Sequence, residues 1–294
     1  KTHYLWEETL QPNCLLDLIE NFVHIRTESE KVYDPQRQKV VEKKTDVLIF
    51  PRFHQLNVVQ KIKKSIIDEG VGNNYLIQHT TGSGKSLSIG WLSHLLSSLY
   101  QNPTDTKRMF DSIIVVTDRR VLDKQIQNTI KQLEQTKGVV CPVDLNSNQL
   151  KEFLEQGKSI IITTVQKFPV ISQTIPQLKS KSFGVVIDEV HSSQSGETSR
   201  HLKMSLSKQV LSEYSEGEGN KDLTEIDEQV MNQILSRGQQ PHISYFGFSG
   251  TPKGKTLELF GRKQDDGKFY PFHTYSMEQS IYEGFTLDVL QNYT

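Results

Sequence analysis

Cysteine is scarce in this chain: two in 294 residues, and Cys14 and Cys141 form neither a CxxC pair nor a metal-ligand spacing. That argues against a disulfide framework or a cysteine-built metal centre, and for a reducing compartment. No apolar run approaches the roughly 20 residues that cross a bilayer, and no signal-peptide pattern opens the chain, so no membrane partner is expected and cytoplasm is the expected location. Charge of one sign is missing too, with 34 Lys and Arg against 35 Asp and Glu and a net charge of −1. A protein that grips phosphates on one face can be neutral overall, so composition is silent on nucleic acid. The remainder, 35% hydrophobic and 23% charged, is ordinary for a globular domain long enough to bury a substantial core.

Against that plain background, Leu76-Ile77-Gln78-His79-Thr80-Thr81-Gly82-Ser83-Gly84-Lys85-Ser86 stands out as a short apolar segment, a glycine-flanked loop and a helix start. Glycines at 82 and 84 let the backbone curl so that several N–H groups converge, and the free amides of the helix beginning near Lys85 add the positive end of its dipole. Thr81, Gly82, Ser83, Gly84, Lys85 and Ser86 therefore read as a cradle for a nucleotide triphosphate. Lys85 would reach its β- and γ-phosphates and Ser86 would hold Mg²⁺. Leu87, Trp91, Leu92, Leu95, Leu96 and Leu99 continue with helical spacing. The strict pattern wants glycine where His79 stands. Taken alone, the loop also fits a glycine-rich turn before an amphipathic helix.

Partner residues lie downstream. Phe183-Gly184-Val185-Val186-Ile187 reads as a strand buried on both faces, ending in Asp188 and Glu189. The first carboxylate is expected to hold Mg²⁺ and the second to polarise an attacking water. Adjacent acids at a strand end could instead cap a following helix, a reading that Lys85 and Ser86 upstream disfavour. A third segment, Ile243 to Phe248, alternates polar and apolar residues before the small-residue turn Ser249-Gly250-Thr251-Pro252.

Thr80 to Ser86, Asp188-Glu189-Val190-His191 and Ser249-Gly250-Thr251-Pro252 resemble motifs I, II and III of superfamily 2 helicases and translocases. Arg52-Phe53-His54-Gln55, the His79-Thr80-Thr81 lead-in, Asp118-Arg119-Arg120-Val121-Leu122, Thr163 to Phe168 and His191 to Gly196 narrow the resemblance to the restriction subunit of type I restriction enzymes, over residues 15 to 290. Val190, Ser86 and Phe53 stand where alanine, threonine and tyrosine are commoner, and none removes a group the chemistry requires.

The resemblance implies an α/β fold: a P-loop NTPase lobe of RecA type, mainly parallel sheet with helices on both faces, preceded by a helical connector. It implies ATP and Mg²⁺ as cofactor and metal, with Lys85, Asp188 and Glu189 catalytic and Ser86 and Asp188 on the metal. Arg52 and Gln55 would grip the adenine, and His191, Ser249 and Thr251 would couple the γ-phosphate to the DNA side. The expected activity is ATP-driven translocation on double-stranded DNA, with methyltransferase and specificity subunits as partners and cleavage by a separate nuclease domain. A strand-separating helicase, a nucleotide-gated scaffold that does not hydrolyse, and, last, a small-molecule kinase remain as alternatives.

Two further strands, Ser112 to Thr117 and Ser159 to Thr164, should end on the same edge as the phosphate loop, because ligands of open parallel sheets gather outside the carboxyl ends of the strands. Thr117, Arg119, Thr164, Gln166 and Lys167 are thus expected to meet DNA phosphates. Read singly, Arg119 and Lys167 fit equally well as solvated charges, and the two threonines as helix caps. The expected division is a connector with a docking helix over residues 1–49, following a nuclease outside the chain. The motor lobe covers 50–273, and a linker toward a second lobe covers 274–294. Leu15, Leu16, Leu18, Ile19, Phe22 and Val23 should form the docking face. Glu42-Lys43-Lys44 reads as solvated surface rather than nuclease. Residues 211–222 read as an acidic loop and 223–235 as a helix.

Overall fold

The computed structural model describes residues 6–7, 10–34, 39–117, 120–134, 136–144, 146–189 and 240–288. Arg119, His191 and the acidic loop and helix expected over 211–235 lie outside the described residues.

The chain enters through α1 (Pro12–Asn21), then β1 (His24–Asp34) and β2 (Lys39–Ile49). Next come α2 (Phe53–Glu69), β3 (Asn74–His79), α3 (Lys85–Ser97), β4 (Ser112–Thr117) and α4 (Arg120–Gln132). β5 (Val140–Pro142), α5 (Ser147–Gln156), β6 (Ile160–Thr164), α6 (Phe168–Thr174) and β7 (Phe183–Ile187) follow. From residue 240 onward come β8 (Ile243–Ser249), α7 (Gly254–Phe260), β9 (Arg262–Lys263), β10 (Phe269–Tyr270), β11 (His273–Tyr275) and α8 (Met277–Tyr282).

Seven strands make one sheet in the order β11-β3-β8-β7-β4-β6-β5, and every neighbouring pair in it is parallel. Side chains alternate across a strand, so an unbroken apolar run feeds two cores at once. In β4, Ile113 and Val115 join the core under α1, α2, α3 and α4, whereas Ile114 and Val116 join the one under α5, α6 and α7. β6 divides likewise, Ile160 and Ile162 against Ile161. Each such fully buried side chain contributes roughly 1.5–3 kcal/mol, which favours the unbroken apolar runs Ile113 to Val116 in β4 and Phe183 to Ile187 in β7. This is the expected helix-on-both-faces α/β architecture.

Helix ends follow local chemistry. Asn146 caps α5 by accepting from Gln149 N–H at 3.1 Å, and Ser276 caps α8 by accepting from Gln279 N–H at 3.1 Å.

At the N-terminal end, α1 does dock. Leu18 and Phe22 are buried in the first core, Trp91 Nε1–H donates to the Phe22 carbonyl at 3.0 Å, and Lys63 pairs with Asp17 at 2.9 Å. Leu16 and Ile19, however, point outward at 64% and 58% exposure. The expected docking face was therefore too wide: a helix lying on a surface buries only one stripe. The charged stretch that follows is not a mere crossing but an antiparallel ribbon, His24 paired with Ile49 through Asp34 with Lys39. Among the described residues, its strands pair with each other and join no other sheet. The Glu42-Lys43-Lys44 triplet is on its wet surface, as expected.

At the other end, β11 pairs with β3, so the expected lobe boundary after residue 273 cuts through a strand of the main sheet.

Candidate functional site

Because every strand of the main sheet runs the same way, β3, β4, β6, β7 and β8 deliver their C-terminal loops to one edge. The phosphate-loop segment leaves β3 there. Ser83 N–H donates to the Thr80 carbonyl at 3.2 Å, and the Gly84 carbonyl accepts from Leu87 and Ser88 N–H at 3.1 and 3.3 Å as α3 begins. Gly82 and Gly84 have φ of 81° and 82°, left-handed values that a side chain strains to reach, so glycine at these two positions is what lets the loop close.

β7 brings the carboxylates to the same place. Lys85 Nζ lies 2.8 Å from Glu189 Oε1, with side-chain exposures of 10% and 25%. Asp188 N–H donates to the Val116 carbonyl at 3.0 Å, tying the end of β7 to β4. Glu189 itself has a φ of 52°, a left-handed conformation that costs a non-glycine residue about 1–3 kcal/mol and that concentrates at functional sites. β8 supplies the third segment: a Cβ at Gly250 would sit 3.6 Å from both the His79 carbonyl and Thr81 Oγ1. The buried hydroxyls of Ser83 and Ser249 have no hydrogen-bond partner among the described residues. Three segments more than 160 residues apart at their extremes thus share one corner.

The oxygen donors at this corner, the Ser86 hydroxyl and the Asp188 and Glu189 carboxylates, suit a hard divalent cation that keeps waters and takes phosphate oxygens. Among the described residues, no group of three or more His, Cys, Asp or Glu forms a dedicated metal cage.

Around the loop, α2 and the C-terminal segment form a collar. Gln55 is 2% exposed, and both ends of its amide serve backbone: Oε1 accepts from Arg52 N–H at 2.8 Å, and Nε2 donates to the Gly84 carbonyl at 3.0 Å. The expectation that Gln55 faces a purine edge is therefore corrected, since the capping box of α2 and the loop already use every polar atom it has. Arg52 stacks its guanidinium 3.9 Å above the centre of the Phe285 ring. Thr80 Oγ1 contacts Met277 Sδ at 3.6 Å, and the Gly82 Cβ position lies 3.9 Å from Thr286 Oγ1. Residues 274–286 therefore pack back on the phosphate loop.

From sequence alone, His54 and His79 carry no assigned role, and Asn57, His273 and Tyr275 carry no signal that marks them. His79 is fully buried, its Nε2 is 2.9 Å from His273 Nδ1, and His273 Nε2 is 3.0 Å from Asn57 Oδ1. An amide oxygen only accepts, so His273 carries its proton on Nε2, and His79 must donate from Nε2. Burial pushes the His79 pKa down to about 2 and the His273 pKa down to about 4, keeping both rings neutral near pH 7. Burial also raises the Tyr275 phenol to about 12, with its hydroxyl donated to Glu283 at 2.7 Å.

The strands expected to face DNA are mixed. Thr117 is fully buried, with Oγ1 donating to the Thr163 carbonyl at 3.4 Å, which corrects its placement on a phosphate-contacting surface. Thr164, Gln166 and Lys167 are half-buried at the carboxyl edge, and Lys167 Nζ donates to the Val143 carbonyl at 2.9 Å. Thr251 is exposed beside Gly250.

Among curated proteins, the chain is 25% identical over 87% of its length to a type I restriction enzyme endonuclease subunit from Staphylococcus saprophyticus and, at the same identity and coverage, to one from Staphylococcus aureus strain COL. It spans 23% of the length of either relative. A solved fragment assigned to the HsdR subunit of a type I restriction enzyme from Vibrio vulnificus YJ016 matches 79% of this chain and 31% of its own, at 17% identity and a TM-score of 0.43. The model of the SWI2/SNF2 ATPase family matches residues 54–215. That match takes in α2, the phosphate loop and the carboxylate pair and exceeds half of the 294 residues, so the chain belongs to the SWI2/SNF2 ATPase family.

Proposed function

We propose that this chain is the first, ATP-binding motor lobe of a double-stranded DNA translocase, within the restriction subunit of a type I restriction enzyme. The 2.8 Å contact between Lys85 and Glu189 carries the reading. It places the ammonium that would neutralise a γ-phosphate against the carboxylate that would orient a water, although the two residues lie 104 positions apart in the sequence. The relatives that the chain covers in part are named as endonuclease subunits of such systems, which supports the same assignment.

In this reading the amides of Gly82 to Lys85 and the α3 dipole bind the phosphates. Ser86 and Asp188 would hold Mg²⁺, which supplies charge neutralisation to the transferring phosphoryl group when bound. Glu189 positions and polarises the attacking water, and Arg52 remains the side chain offered to the base. Ser249 and Thr251, with His191, sense the γ-phosphate and pass its presence to the DNA edge. There Arg119, Thr164, Gln166 and Lys167 would touch backbone phosphates and read no sequence. Phosphoryl transfer also calls for an arginine from a facing lobe, so the second lobe, the nuclease, and the methyltransferase and specificity partners belong to the larger assembly.

The test is ATP hydrolysis by the full-length protein with duplex or single-stranded DNA added. Stimulation by duplex is expected. Stimulation by single strands alone would assign a strand-separating helicase instead, and no hydrolysis under either condition would leave a nucleotide-gated scaffold.

A further inference from the structure

The peptide planes of the phosphate loop are not held equally. The plane between residues 82 and 83 is fixed by the turn bond from Ser83 N–H to the Thr80 carbonyl, and the plane between 84 and 85 by the first bonds of α3 onto the Gly84 carbonyl. Among the described residues, the plane between 83 and 84 has no backbone bond of either kind. Its carbonyl, Ser83 O, accepts from His54 Nε2 at 2.9 Å and only distantly from Gln55 Nε2 at 3.4 Å. A trans peptide puts its N–H opposite its carbonyl, so turning Ser83 O toward α2 aims the Gly84 N–H away from α2. Gly84, at a φ of 82°, offers little steric resistance to turning that plane over. A flipped plane would replace an anion-binding N–H by a carbonyl oxygen, the wrong sign for a phosphate.

We propose that His54 is the positioning residue that locks this peptide with the Gly84 N–H toward the phosphates, an inference that rests on the nucleotide reading above and extends it. The ring is built for a fixed direction. It is 4% exposed, stacks on Tyr275 with centroids 3.7 Å apart at 12°, and meets the edge of His79 at 5.4 Å. A carbonyl can only accept, so the proton sits on Nε2, and burial, which lowers the His54 pKa, keeps Nδ1 unprotonated near neutrality. Gln55, whose amide nitrogen donates to the Gly84 carbonyl at 3.0 Å, reaches Ser83 O only at 3.4 Å and is the weaker hold on that plane.

The experiment is calorimetric titration of the full chain, and of its His54→Phe, His54→Gln and Lys85→Ala variants, with Mg-ADP, with circular dichroism to verify folding. Phenylalanine keeps the stack on Tyr275 but has no N–H. Glutamine gives up the ring but carries an amide nitrogen near the position of Nε2. The proposal expects His54→Phe to weaken binding about tenfold, the scale of one buried hydrogen bond, and His54→Gln to recover most of that loss. Equal weakening in both variants would assign the effect to ring packing and overturn the proposal, as would unchanged binding in His54→Phe. Should Lys85→Ala bind as tightly as the parent, or the parent not bind at all, the nucleotide reading itself falls and takes this inference with it.

Discussion

Replacing Trp91 by phenylalanine probes how firmly the N-terminal helix is built onto the phosphate-loop helix. Trp91 sits in the second turn of α3, is 1% exposed, and meets Phe22 with ring centroids 5.9 Å apart while donating to the Phe22 carbonyl at 3.0 Å. Phenylalanine removes the donor and leaves a carbonyl in a fully buried residue without that partner, which costs about 1–3 kcal/mol. The smaller ring forfeits on the order of 1 kcal/mol more of burial. The sum, about 2–4 kcal/mol, corresponds to a melting temperature lower by roughly 5–10 °C in a domain of this size. Thermal and urea unfolding measure it, and hydrogen exchange should show the amides of α1 opening first. A loss below about 0.5 kcal/mol, or exchange in α1 unchanged from the parent, would refute the view that this contact clamps α1 to α3.

Gly84→Ala should cut Mg-ADP affinity on the order of tenfold or more in calorimetry, because the new Cβ would lie 2.5 Å from Gln55 Nε2 and φ is already 82°; parent-like affinity would contradict the loop geometry. Stability should fall in acid. His79 and His273 have folded pKa values of about 2 and about 4 against 6.5 unfolded, so the unfolded chain binds more protons below 6.5. The stabilisation is fully present above that pH and fades as pH drops toward 4, by up to about 1.4 kcal/mol per pH unit for each ring. Urea midpoints at pH 7.5 and 5 read this directly, and equal midpoints would count against two buried neutral histidines.

What the chain made legible was whatever repeats or concentrates chemistry. Long apolar runs such as Ile113 to Val116 announce strands covered on both sides, and Gly82, Gly84, Lys85, Asp188 and Glu189 are residue types with few other reasons to occur in that order. The β1–β2 ribbon was illegible because both its faces are wet, so neither face imposes an apolar alternation. β11 escaped because three residues, His273 to Tyr275, carry too little pattern to mark a strand, although they complete the sheet beside β3. The true use of Gln55 was hidden for a different reason. A glutamine that can read a purine can equally satisfy a backbone, and only the packing of α2 against the loop decides between them.

The decisive measurement is on the Glu189→Gln variant of the full-length protein, assayed for ATP binding and for turnover in the presence of duplex DNA. Retained binding with turnover reduced at least a hundredfold is the predicted outcome, since an amide keeps the shape but cannot polarise water. Turnover at the parental rate would contradict the claim that the carboxylate beside Lys85 performs the chemistry.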